Sequence, residues 1–412
     1  MRRWLKRLLL ILLVLTLGLV GLVAYLLGSE SGLMNLIAVA EKITDQSLQV
    51  EQASGNLSGP LQLQGLSYTS DGLHVELQQV SLDWSPGALL ERRVLIHDLQ
   101  VNGLKVRDDS VPEESTEPFR LPEQWQLPVG IRVERAALND FIYRSGETEF
   151  VLDQAALNAR WNDQGIELAE LNAQGPDFKA QGRAEAGPNI NAPLHAELDW
   201  QYALQEVGLL QGKTRLSGVL QDLRLSHQQI GPYEASLEAR IWQDDNAWQY
   251  TAAVTEAGPL PVPLPQDQRL ALNIEGNLLE DVLKIVQMNL RIGDLPVRLD
   301  ANGQVLLAGE ATALQINATW QDLQWPLVTA KGVAPDVIST RGKVELSGPI
   351  DDLRLLLEAE LPEGKINGEA VYATDQLDAQ IGWTQLSWPA QQPSVMLKQG
   401  KVTASGVPGD LK

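Results

Sequence analysis

The residues that most readily do chemistry are few and poorly placed for it. The four histidines, His74, His97, His195 and His227, fall in strand-like or turn-like contexts without the spacing that sets two ligands on one metal. The acidic pairs Asp108/Asp109, Asp244/Asp245 and Asp351/Asp352 sit at turns and read as solvated residues, because catalytic carboxylates need partners that the sequence does not supply. There is no G-x-S-x-G, H-E-x-x-H, phosphate loop or dinucleotide fingerprint, and no cysteine to act as nucleophile, metal ligand or disulfide. Trp84, Trp161, Trp200, Trp242, Trp320, Trp325, Trp383 and Trp388 fall mostly at strand ends or in a duplicated motif, where large side chains cover sheet edges more readily than they contact a ligand. The expectation is a protein that is not an enzyme and needs no cofactor or metal.

Net charge is −21, which argues against nucleic acid and against broad adhesion to anionic lipid surfaces. Basic residues concentrate at Arg2, Arg3, Lys6 and Arg7, directly ahead of an uncharged run of 20 residues, Leu8–Leu27. At 1.5 Å per residue such a run reaches ~30 Å, the thickness of a hydrocarbon core. It exceeds the roughly 7–15 apolar residues of a cleaved signal, and its end, AYLLGSES, is a poor cleavage site. The expectation is a basic cytoplasmic head (1–7), a single transmembrane anchor (8–27) in a bacterial inner membrane, and a periplasmic remainder.

The elements that follow change period. Leu33, Leu36, Ile37, Ala40 and Ile43 share a helical face, giving an amphipathic helix over 29–47. A first β segment covers 48–107: Leu73, Val75 and Leu77 alternate, the register slips at Gln78/Gln79, and Val80, Leu82 and Trp84 resume it, as a bulge or tight bend would require. The acidic, Pro-rich stretch 108–128 reads as a loop, and the prolines of 256–268 exclude a central strand there. Residues 277–290 carry Leu279, Val282, Leu283, Val286 and Leu290 at helical spacing and read as a helix on the sheet. From 129 to 412 the chain reads as a repetitive β-groove. Leu353, Leu355, Leu357, Ala359 and Leu361 fall on one side, and Arg354, Glu358 and Glu360 on the other, the mark of a sheet with one wet face.

Repeats reinforce this. Stretches beginning at Gly212, Gly342 and Gly400 share G-K-x-x-x-S-G-x-x-x-D-L-basic, with a degenerate relative at Gly303. Between them WQDLQWP (320–326) matches WTQLSWP (383–389), 63 residues apart. The S-G-x-x-x-D-L unit reads as strand end, turn and next strand, stacked into an array because no unit buries its apolar face alone.

The run LLGSESGLMNLIAVAEKITDQSLQVEQASGNLSGPLQLQGLSY, followed by VELQQVSLDWSPGALLERRVLIHDLQVNGLKV, resembles the N-terminal part of the TamB family of AsmA-like proteins, related to bridge-like lipid transfer proteins. The sharpest match covers residues 1–107, and the family's greater length implies that the array continues past residue 412. The resemblance implies an all-β, elongated, strongly curved antiparallel sheet, an open trough of the β-taco kind. It also implies phospholipids as cargo between inner and outer membranes, and an outer-membrane barrel partner of the Omp85 type, TamA. Leu73, Val75, Leu77, Leu353, Leu355 and Leu357 are the expected lining. The alternatives are a scaffold or chaperone for outer-membrane protein strands, and a closed, packed spacer between envelope layers.

Overall fold

A computed structural model describes residues 28–411 except 110–123, 126, 147, 205–207, 232–233, 246, 259–268, 280, 308–311, 328–334, 374–375, 389, 391–393 and 408–409. The chain divides into two units, Met1–Leu204 and Gln205–Lys412.

The first unit opens with helix α1 (Glu30–Ile43). Ser29 caps it, its Oγ accepting from the Gly32 N–H at 3.0 Å, while Glu30 and Lys42 suit the two ends of the helix dipole. Nine strands follow: β1 (Leu48–Gly55), β2 (Leu61–Ser70), β3 (Leu73–Ser85), β4 (Arg93–Asp108), β5 (Gly130–Ser145), β6 (Thr148–Asn162), β7 (Gly165–Gln174), β8 (Phe178–Ala186) and β9 (Leu194–Leu204). Each pairs with the next, antiparallel throughout except for β4 and β5, which run parallel. Helix α1 guards the outer edge of β1. Glu41 Oε1 accepts from the Val50 N–H at 3.0 Å and Thr44 Oγ1 from the Leu48 N–H at 3.3 Å.

The slip at Gln78/Gln79 proves to be a kink shared by neighbouring strands. Gly65, Gly103 and Asp140 take φ of +63°, +67° and +55°, and the pairing skips their positions while keeping its register on either side. The side-chain parity therefore changes in step. Leu63 and Leu66, Leu77 and Val80, and Val101 and Leu104, each three apart, stay on one face because their cross-strand partners coincide.

The second unit is an antiparallel array in which every strand again pairs with its successor. Its first seven strands are β10 (Gly208–Val219), β11 (Asp222–Ile230), β12 (Glu234–Asp244), β13 (Ala247–Gly258), β14 (Leu270–Leu279), β15 (Val282–Ile292) and β16 (Arg298–Leu306). Then come β17 (Ala313–Trp325), β18 (Val337–Pro349), β19 (Asp352–Glu360), β20 (Lys365–Ala373), β21 (Gln376–Trp388), β22 (Val395–Val407) and β23 (Asp410–Leu411).

Residues 277–290 are not a helix. They form the end of β14, a turn and most of β15. Opposite β14 the register passes from Ile285 to Gln287, so Val286 is an extra residue and the strand's parity changes there. Leu283 and Ile285 before the bulge share a face with Met288 and Leu290 after it. A bulge thus turns alternation into the three-and-four spacing of a helix.

Two further expectations are corrected. The single-pass inner-membrane topology is not supported: among the described residues no helix is long and apolar enough to cross a membrane. Helix α1, at 14 residues, spans only ~21 Å, and residues 1–27, the expected head and anchor, lie outside the described residues. The strongly curved trough gives way to an open, extended, mostly antiparallel sheet in each unit. Strong curvature would press the lining together and enclose it. Yet among the described residues only nine apolar side chains are buried, including Leu33, Leu152, Ile292, Val297 and Trp320, and none falls below 2% exposure.

Candidate functional site: the apolar face

Residues paired across an antiparallel sheet point to the same side, so the registers define the faces. In the second unit one face is apolar from β10 to β22. A transverse row runs Leu216, Leu225, Ala239, Ala252, Ile274, Met288, Ala301, Ala318, Val344, Leu357, Gly368, Ile381, Val402. Parallel to it, Ile316, Leu346, Leu355, Ala370 and Ala379 succeed one another, and Leu353 pairs with Tyr372 in a third row. At about 4.8 Å per strand the thirteen-strand row covers ~58 Å. The opposite face carries Arg224, Glu238, Asn273, Asn289 and Asp300.

The first unit repeats the plan. Val75 lies between Tyr68 and Val106, and Leu77 between Leu66 and Leu104. Leu73 differs: its cross-strand neighbours are Ser70 and Asp108, at the end of the β2–β3 turn, so it stands outside the apolar rows. All six expected lining residues are half-buried.

The duplicated motifs turn out to be one device that sequence reading kept apart. Trp320 pairs with Gly342 and Trp383 with Gly400, so the first Trp of each W-x-x-L-x-W-P lies over the Gly that opens G-K-x-x-x-S-G on the next strand. A Cβ at Gly342 would stand 1.9 Å from Trp320 Cζ2, and one at Gly400 2.0 Å from Trp383 Cζ2. The glycines are there because an indole needs the space. The Trp320 Nε1–H donates to Ser339 Oγ at 2.9 Å, whereas Trp383 Nε1 is buried without a partner. The signal that could have shown this was the shared order of the motifs, with Gly342 standing 22 residues after Trp320 and Gly400 17 after Trp383, each about one hairpin on. The second glycine of the motif, Gly348, takes φ +116° where the chain enters the turn to β19.

Polar side chains pair on the wet face. Asp222 receives Arg240 Nε at 2.7 Å and Nη2 at 2.8 Å, and Arg240 stands 4.7 Å above the Trp242 ring. That hydrogen bond holds the Asp222 carboxyl below the usual range, as the Arg135 guanidinium does for Asp98. His97 accepts or donates to Ser85 Oγ at 2.8 Å and Glu134 at 2.9 Å, an arrangement the sequence did not suggest. His97 and Glu134 are 38% and 42% exposed, so the trio stands in solvent as a surface hydrogen-bond chain, without the water exclusion that nucleophilic catalysis requires.

A family described as TamB, N-terminal domain, matches residues 19–175 and 118–258, together more than half of the chain. The Translocation and assembly module subunit TamB of Haemophilus influenzae is 24% identical over 200 residues, 46% of this chain and 15% of that protein. The matched region is therefore a small part of the relative's length. No solved structure matches. Among the described residues no group of three or more His, Asp or Glu side chains is placed to hold a metal ion. More than half of the sequence aligning with one domain identifies the chain as a member of the TamB N-terminal domain family.

Proposed function

We propose that the apolar face is a surface along which acyl chains of phospholipids move between membranes, with the polar face kept in water. The observation that carries this reading is the unbroken apolar row from β10 to β22, half-buried over most of its length, with Ala301 buried and Ile381 and Val402 exposed. Each CH₂ withdrawn from water is worth about 0.8 kcal/mol, so a diacyl lipid gains steadily along such a face. The row mixes Leu, Val, Ile and Met with Ala and Gly and offers no deep pocket, which favours weak, repeated contacts over trapping. Leu353, Leu355 and Leu357 in the second unit, and Val75 and Leu77 in the first, belong to this contact surface. The barrel partner implied by the family, TamA of the Omp85 type, would receive the lipid. The test is native mass spectrometry of the chain, wild type against a triple change of Leu353, Leu355 and Leu357 to Asp. Phospholipid-mass adducts should appear in the wild type and vanish in the variant at unchanged β content. A folded wild-type chain that takes no lipid after incubation with phospholipid vesicles refutes the reading.

A further inference from the structure

The polar face of the second unit holds a cleft of about 460 Å³ that the lipid reading does not use. Its floor is β13, where Thr251 and Ala253 point to the wet side. Long side chains rise on both flanks. Arg224, Arg240 and Glu238 come from β11 and β12, and Asn273, Glu275, Gln287 and Asn289 from β14 and β15. The registers set these in two rows, Arg224, Arg240, Thr251, Glu275, Gln287 and Glu238, Ala253, Asn273, Asn289. The walls are two strand spacings apart, ~10 Å, because the middle strand contributes only small side chains.

We infer that this cleft is a binding site for an uncharged saccharide. The cleft presents both signs, Arg224 and the Asp222-paired Arg240 against Glu238 and Glu275, so a free anion would meet Glu238 and Glu275, and a free cation would meet Arg224 and Arg240. A neutral ligand that both donates and accepts, as vicinal hydroxyls do, satisfies every wall. The groups are also held in place. Asp222 takes one edge of the Arg240 guanidinium through Nε and Nη2 and offsets its charge, which leaves the Nη1 hydrogens as donors suited to hydroxyls more than to phosphate. Gln287 Nε2 donates to Asn289 Oδ1 at 3.1 Å and Asn289 Nδ2 donates to Asp300, so the amides are oriented before any ligand arrives. The Ala253 and Thr251 methyl groups offer the small apolar floor on which the C–H face of a sugar ring rests. A cavity of this volume, with a few convergent polar groups, has the dimensions of a small-molecule site.

The test is titration of the whole chain with tri-N-acetylchitotriose, maltotriose and, as the zwitterionic competitor, glycerophosphoethanolamine, followed by calorimetry and ligand-observed NMR. Saturable binding of at least one saccharide is expected, weakened about tenfold or more by Ala253→Leu, which fills the floor, and by Glu238→Gln, which removes an acceptor charge without changing shape. Both changes lie on the wet face, so β content by circular dichroism should hold and reports on folding. Three results overturn the inference: no saccharide binding up to about 10 mM, saccharide binding that both variants leave unchanged, or saturation by the zwitterion alone.

Discussion

Replacing Gly342 with Ala isolates what the paired motifs do. A methyl at that position would lie 1.9 Å from Trp320 Cζ2, inside any allowed contact, so the indole must leave its place. Trp320 is 8% exposed, and its Nε1–H donates to Ser339 Oγ, which in turn donates to a backbone carbonyl. Displacing it combines an overpacking cost of roughly 1–3 kcal/mol with the loss of a buried hydrogen bond, about 1 kcal/mol. The sum is ~2–4 kcal/mol, or a ~30- to 1,000-fold rise in the local opening constant. A stacked array does not unfold as one unit, so the assay is native-state hydrogen exchange read on peptides of β17 and β18. Gly382→Ala is the matched control: its nearest neighbour is the Gly400 carbonyl oxygen at 3.8 Å, an ordinary contact, and exchange should be unchanged or slower. Gly400→Ala should cost less than Gly342→Ala by about one hydrogen bond, because Trp383 Nε1 has no partner to lose. Equal protection in Gly342→Ala and Gly382→Ala would refute the explanation of the motifs.

Other outcomes follow from the same structure. Gly103→Ala, at φ +67° and 2.4 Å from Gln78 Cδ, should destabilise the first unit by about 1–2 kcal/mol, and Gly103→Asn by less, in thermal melts; equality of Gly103→Ala with wild type would count against the shared kink. Deleting Val286 removes the extra residue of β15 and should turn Leu283 and Ile285 to the wet side, with loss of exchange protection across Val282–Ile292. The Arg240 guanidinium depresses the folded-state pKa of Asp222, so its stabilisation is present above the unfolded value and is lost as pH falls through the folded one. Arg240→Met should therefore flatten the fall in melting temperature below about pH 4, and an unchanged acid profile would show that the pair is inert.

Much of this protein is legible without coordinates because its information is local. Alternation of Leu353, Leu355 and Leu357 against Arg354 and Glu358 needs only the period of a strand, and S-G-x-x-x-D-L marks hairpins because Gly218 and Gly348 reach left-handed φ that other residues resist. The absence of cysteine likewise excluded disulfides and thiolate chemistry from composition alone. What escaped depends on which strand lies beside which. A bulge at Val286 imitates helical spacing because parity is a property of the pairing, not of one strand. Nothing local links Trp320 to Gly342 until the register sets them face to face. The polar cleft over Thr251 and Ala253 draws its walls from four strands on either side of β13, across more than sixty residues. The strong curvature implied by the resemblance failed for the same reason. Period two states which side chains share a face, while the degree to which that face closes on itself is set by the sum of twists and kinks along every ladder, and only the assembled sheet expresses that sum.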